Sequence, residues 1–245
     1  MNILFVGNDI RSALNIIRPA LEMNKDGSLY WSVTENHNVI NACHDVVFLL
    51  SYRKIIPESV LDRVHRKVVL FHSSDLPVGR GWAPIYTAVN SGKKIHTVTM
   101  CYASKEVDEG LVLAKARSKI HKNYTASMVR RIGQGMISYL IGRYVFRFDG
   151  NKPPGTPQRG KATYINRRSS QDGEIDARKI FKSIVPHLLA SEETHPAFFI
   201  HENETFYLSV VPANQWIDNN FVIEEYFDGR KGKAIDIEDW QIEAK

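Results

Sequence analysis

The first apolar run in the chain is short and unbroken. It extends from Asn2 to Val6 and stops at Gly7-Asn8-Asp9. A run of this kind, closed by turn residues, predicts a strand buried on both faces. The spacing then changes. Ala13, Ile16, Ile17, Ala20 and Leu21 recur at helical intervals, which predicts a helix over Ala13 to Leu21 with Ser12 as its cap. Strand, tight turn and helix in that order open an α/β sheet. Asp45 to Leu50 and Val68 to Phe71 are two more β-branched apolar runs and predict central parallel strands. Between them, Pro57 to Val64 predicts a short helix with Pro57 in its first turn.

The loop after Phe71 is rich in special residues: Ser73-Ser74-Asp75-Leu76-Pro77-Val78-Gly79-Arg80-Gly81. A helix over Ala83 to Val89 and a strand over His96 to Tyr102 follow. Met128, Ile132, Met136, Tyr139 and Leu140 then predict one long helix from Thr125 to about Tyr144 that covers the sheet. Asp149 to Pro157, with three prolines and two glycines, is the clearest linker. After it the pattern predicts a helix over Ala177 to Ala190 and strands over Ala197 to Ile200 and Thr205 to Val211. The reading is an α/β fold: a Rossmann-like, mostly parallel sheet with helices on both faces over residues 1–150. Residues 151–245 form a small C-terminal α+β subdomain. The stretch from Asn24 to His44 leaves the strand count open, and no internal repeat is present.

Composition changes this picture little. The net charge of +5 suits a negatively charged small ligand and is equally ordinary for a soluble protein. The two cysteines, Cys43 and Cys101, form no CxxC pair, so neither a zinc site nor a redox motif is expected, and a cytoplasmic location fits. His65, His121, His187 and His195 have no partner at metal-ligand spacing. No run approaches a membrane span, and the apolar start is too short for a signal peptide. Lys93-Lys94, Arg130-Arg131 and Arg167-Arg168 read as solvated surface. No basic stripe interleaved with aromatics points to nucleic acid.

The candidate chemistry lies at strand ends, where open α/β sheets bind ligands. His72 directly follows one predicted strand, and Asp108 lies in the loop after another. An imidazole beside a carboxylate can move protons near neutral pH, as acyl transfer to an amine requires. A lone histidine after a strand is more often packed or at the surface, so spacing alone leaves both readings open.

The run His72-Ser73-Ser74-Asp75-Leu76-Pro77-Val78-Gly79-Arg80-Gly81-Trp82-Ala83-Pro84-Ile85 resembles the signature loop of the folate-dependent formyltransferases. That family includes methionyl-tRNA, glycinamide ribonucleotide and sugar N-formyltransferases. Val98-Thr99, followed by Asp108-Glu109-Gly110, is similar to a second family segment whose aspartate is catalytic. Ser51 to Pro57 is similar to the segment that borders the folate pocket. After the linker, Ala162-Thr163-Tyr164, Arg167-Arg168 and Asp172 to Asp176 resemble a further family element, and His195 to Phe199 resembles a stretch found in sugar-type members.

The resemblance implies a formyltransferase with His72 and Asp108 as catalytic residues and no metal. It implies 10-formyltetrahydrofolate as formyl donor, bordered by Tyr52, Ile55, Ile56, Arg80 and Gly81. The loop variant points to the sugar-modifying branch, hence to the primary amine of a nucleotide-linked amino sugar as acceptor, and to a homodimer. The region after residue 150 is shorter than the tRNA-binding domain of the tRNA-modifying members. The third member of the family's catalytic set, an asparagine two positions before the histidine, is replaced by Leu70. Loss of one oxyanion donor costs about a hundredfold or more in rate. The departure leaves three readings: His72 or a backbone N–H acts without it, another residue supplies the donor, or the site binds without turnover.

Overall fold

The computed structural model describes residues 1–22, 29–64, 67–176, 181–210, 221–225 and 235–237. The unbroken apolar runs become the interior of one sheet. Strands β1 (Asn2–Gly7), β2 (Tyr30–Thr34), β3 (Val46–Leu50) and β4 (Val68–His72) pair in parallel, in the spatial order β2-β1-β3-β4. Alternation along each strand divides the side chains between two cores. Ile3, Phe5, Val46, Phe48 and Leu50 face helices α1 (Ile10–Glu22), α3 (Pro84–Asn90) and α4 (Ala126–Arg147). Leu4, Val6, Val47 and Leu49 face α2 (Glu58–Arg63). Covering both faces is what permits strands without polar alternation. Phe48 anchors the larger core. It stacks on Phe5 at 5.5 Å and on Phe71 at 6.1 Å between centroids, and meets the edge of Tyr144 at 5.5 Å. Burying such a ring contributes about 2–3 kcal/mol.

The cap of α1 is Asp9 rather than Ser12. The Asp9 carboxylate accepts the Ser12 N–H at 2.7 Å, so the helix begins at Ile10. A carboxylate placed directly after the tight turn is favoured by the helix dipole, and it captures the free amide before the hydroxyl can. Helix α4 starts as expected: the Thr125 hydroxyl accepts the Met128 N–H at 3.2 Å.

Beyond β5 (Arg80–Gly81), a two-residue strand, the sheet turns antiparallel. β6 (Ile95–Tyr102) pairs with β4, and β7 (Val112–Lys119) pairs with β6. The pattern reading did not include β7. Its period of two rests on Ala114 and Ala116 against Lys115 and Arg117, residues depleted in strands. An irregularity between Met100 and Cys101 breaks the register where the two strands approach the site.

The segment after residue 150 in part rejoins this sheet. β11 (Phe221–Glu225) pairs with β7, and β12 (Ile235–Ile237) extends the edge. β8 (Tyr164–Ile165) pairs with β5. Helix α5 is described as Phe181–Ala190; residues 177–180 of the expected helix, with His65 and Val211, lie outside the described residues. His187 ties α5 to α3 through the Tyr86 hydroxyl at 2.9 Å. β9 (Ala197–His201) and β10 (Glu204–Leu208) form an antiparallel hairpin whose turn places Glu202 and Asn203 at positive φ. No helix among the described residues is long and apolar enough to cross a membrane.

His96, on β6, faces the larger core and abuts α4 at Gly133. Its Nε2 has no hydrogen-bond partner among the described residues, and burial, aided by Arg130, holds the imidazole down to about 4. The unfolded chain takes up a proton on this histidine below pH 6.5, while the folded chain does not until about pH 4. Stability present above pH 6.5 is therefore lost as pH falls towards 4, by about 3 kcal/mol at most. Urea midpoints of the wild type and His96→Phe, measured between pH 7 and 4.5, should diverge, with the variant showing the shallower pH dependence. Parallel curves would remove His96 as the cause.

Candidate active site

β4 ends on His72, so the imidazole belongs to the strand itself rather than to the loop after it. It is 8% exposed. Alternation puts Leu70 and His72 on one face of β4, beside the smaller core with Tyr52, Ile56 and Ala103. The Nε2 of His72 lies 2.7 Å from the carbonyl of Gly79. Its Nδ1 lies 3.4 Å from Oδ2 of Asp108. Both ring nitrogens thus face oxygens, and a ring protonated at both can donate to each.

Asp108 does not reach this position from a neighbouring strand end. β6 runs antiparallel to β4, with His72 beside Thr99 and Val69 beside Tyr102. The chain therefore leaves β6 at the opposite end from His72, and the loop 103–111 must fold back to bring Asp108 to the ring. Cys101, paired with Leu70, lies beneath this return. Burial and the Asp108 carboxylate push its thiol up, which keeps it an inert core group. Asp108 adopts a left-handed conformation with φ 57°, which aspartate tolerates better than most residues. Its Oδ2 accepts the N–H of Gly81 at 2.9 Å. The carboxylate is thereby fixed between a backbone amide and the imidazole.

The loop that carries Gly79 to Trp82 is held from outside. The Thr163 hydroxyl accepts the Gly79 N–H at 2.8 Å, and the Thr163 carbonyl accepts the Arg80 N–H at 2.9 Å. Ile165 accepts from the Trp82 N–H at 3.0 Å. Gly81, at φ 92°, lies so close to β8 that a Cβ would stand 2.6 Å from the Ile165 carbonyl oxygen. No other residue fits there. At the other end, Lys115 pairs with Asp75 and donates to the Leu76 carbonyl at 2.7 Å. Thr99 donates to the Ser74 carbonyl at 2.6 Å. Asp75 therefore anchors the loop to β7.

Of the residues expected around the donor, Gly81 and Arg80 are adjacent to the His72–Asp108 pair. The guanidinium of Arg80 is 8% exposed as a residue and is engaged by the chain itself. It pairs with Glu109, donates to the Tyr164 hydroxyl at 3.0 Å and to Oε1 of Gln158 at 2.8 Å. Ile56 is a core residue at 7% exposure, whereas its neighbour Ile55 is 73% exposed. Tyr52 is half-buried, and its hydroxyl lies 2.7 Å from Nδ1 of His37. Trp82 is partly exposed, with the Arg167 guanidinium over its ring at 5.0 Å. Gln158, Lys115 and the anchoring role of Thr163 were not legible from sequence. A single glutamine in a Pro/Gly-rich stretch carries no pattern. Among the described residues no group of three or more His, Cys, Asp or Glu side chains could hold a metal ion.

Residues 32–135 match the family model described as formyl transferase. A methionyl-tRNA formyltransferase of Janthinobacterium sp. (strain Marseille) is 28% identical over 157 residues, which cover 64% of this chain and 50% of that protein. The chain spans about half the length of the curated relatives it matches. Among solved structures, a sugar N-formyltransferase from Shewanella sp FDAARGOS_354 superposes with a TM-score of 0.69 at 16% identity, covering 86% of this chain and 97% of that one. HypX from Aquifex aeolicus in complex with tetrahydrofolic acid gives a TM-score of 0.70 at 18% identity, covering 96% of this chain and 45% of that one. At these identities the structural likeness shows the fold. Sequence match, sheet order and the match's position around His72 and Asp108 agree: over residues 32–135 the chain is similar to the formyl transferases, and it shares their fold.

Proposed function

We propose that the protein transfers a formyl group from 10-formyltetrahydrofolate to the primary amine of a nucleotide-linked amino sugar. The observation that carries the transfer chemistry is the fixed pair of His72 and Asp108, with Gly81 N–H on the carboxylate. The surface beside it fits a flat heteroaromatic donor. Half-buried Tyr52, Leu70 and Ala103 are apolar and lie on the His72 side of the sheet, and Ile55 stands exposed next to Ile56. The donor supplies a formyl carbon on nitrogen, whose oxygen gains negative charge as the amine adds. His72 gives that oxygen an N–H, exchanging the Gly79 carbonyl for it. Asp108 holds the ring and carries the proton lost by the incoming amine to the departing nitrogen. One C–N bond forms as the other breaks, and no net proton is consumed.

The sugar acceptor rests on the loop variant around Asp75 and on the His195 to Phe199 stretch. The names of the curated relatives favour a second reading, an aminoacyl-tRNA acceptor. Leu70 favours a third, a folate-binding member without turnover. Calorimetric titration with a hydrolytically stable deaza analogue of the donor should show binding. Incubation with labelled donor and a panel of nucleotide-linked amino sugars and methionyl-tRNA should then place label on a sugar amine. Label on tRNA alone would select the second reading; binding without any product would select the third.

A further inference from the structure

We infer that Gln158 is a positioning residue for Asp108, and that the segment 156–165, which follows the Pro/Gly-rich linker, is part of the catalytic centre. The inference rests on the formyl-transfer reading of the His72–Asp108 pair and goes beyond it.

The loop 103–111 carries Asp108 in a left-handed conformation at the end of a long return from β6. Such a residue stays in place only if its surroundings determine it. Gln158 does this from three sides. Its Nε2 donates to the Asp108 carbonyl at 2.7 Å and to the Gly110 carbonyl at 3.0 Å. Its Oε1 accepts from Nη2 of Arg80 at 2.8 Å. A neutral carboxamide is the side-chain group that can donate two hydrogens and accept one at the same point. Arg80 precedes Gly81, whose N–H holds the Asp108 carboxylate. Gln158 therefore links the backbone of Asp108 to the strand that orients its side chain. Glu109, between the two carbonyls, is held by Arg80 and by the Tyr164 hydroxyl at 2.9 Å. Residues 108, 109 and 110 are each fixed by a contact that leads to the segment 158–164.

The segment itself is secured at both ends. Thr156 exchanges two backbone hydrogen bonds with Val112, each 2.8 Å, and Thr163 to Ile165 pair with Gly79 to Trp82. Gln158 thus projects from a frame tied to β7 on one side and to the catalytic loop on the other. Loss of its donors frees the Asp108 loop to move relative to His72. A displacement of about an ångström in a catalytic group costs about a hundredfold in rate.

The test uses Gln158→Met, which keeps length and volume without hydrogen bonds, and Gln158→Glu, which still accepts from Arg80 but, ionised, cannot donate to the two carbonyls. In the full chain each is examined for kcat, for the Kd of the deaza donor analogue, and for the His72 ring titration by NMR, with Asp108→Asn as reference. The expected result is a kcat lowered about a hundredfold, a Kd within a few-fold of wild type, and a His72 titration displaced towards that of Asp108→Asn. If Gln158→Met does not fold, Gln158→Glu decides on the same readouts. A folded variant with wild-type kcat and an unmoved His72 titration overturns the proposal. A wild type without turnover on any acceptor, in which the His72 titration still responds to Gln158, leaves the positioning role standing and removes the formyl-transfer reading instead.

Discussion

His72→Ala is expected to lower kcat for formyl transfer by about a hundredfold to ten-thousandfold, the range for removing a positioned acid/base or an oxyanion donor. The melting temperature should change little, because among the described residues the imidazole's one close hydrogen bond is to the Gly79 carbonyl at the edge of the site. Asp108→Asn separates charge from shape. The amide oxygen can still accept from Gly81 N–H, so the loop keeps its seat, while the negative charge facing the imidazole at 3.4 Å is gone. A loss comparable with that of His72→Ala is expected, and the double variant should lose little more than either alone, since the two act as one unit. Full turnover in both single variants would refute the assignment of this pair.

Gly110→Ala is expected to act on the fold first. A Cβ there would stand 1.7 Å from the Tyr102 carbonyl oxygen, far inside contact distance. The neighbour is backbone, which has no rotamer to give, so either the end of β6 or the Asp108 loop must move. Overpacking against a rigid neighbour costs about 3 kcal/mol or more. At this chain size that lowers the melting temperature by about 6–12 °C. Turnover should fall with it even at temperatures where the variant is folded, because the displaced segment is the one that carries Asp108. A variant that melts with the wild type would show that the loop has freedom not evident in its packing.

These two effects mark what the sequence made legible. β1, β3 and β4 could be read directly, because a strand covered on both faces has an uninterrupted apolar run and little else does. α4 was legible from its spacing; its threonine cap appears only in the fold. β7 was not: a strand of alternating alanines and basic residues resembles a surface helix as much as a sheet. The pairing of His72 with Asp108 came from the family resemblance. In the sequence both lie at what read as neighbouring strand ends; the antiparallel course of β6 brings Asp108 to His72 by a returning loop instead. Ser12 lost the cap to Asp9 because two capping residues stood within one turn, and only the folded backbone chooses between them. The partners of Arg80, Gln158 and Tyr164, lie 78 and 84 residues away, beyond any local pattern.

Those long separations bear on the order in which the protein assembles. The contacts of Gln158 with the Asp108 loop span 50 residues, and that of Thr163 with Gly79 spans 84. Closing such loops early is entropically unfavourable, whereas β3 and β4 pair residues closer in sequence, such as Val47 with Val68. The segment 156–165 gains its partners only once β4, β6 and β7 present their edges. The sheet can therefore exist before the active site does, and recovery of ligand binding during refolding should lag behind recovery of secondary structure.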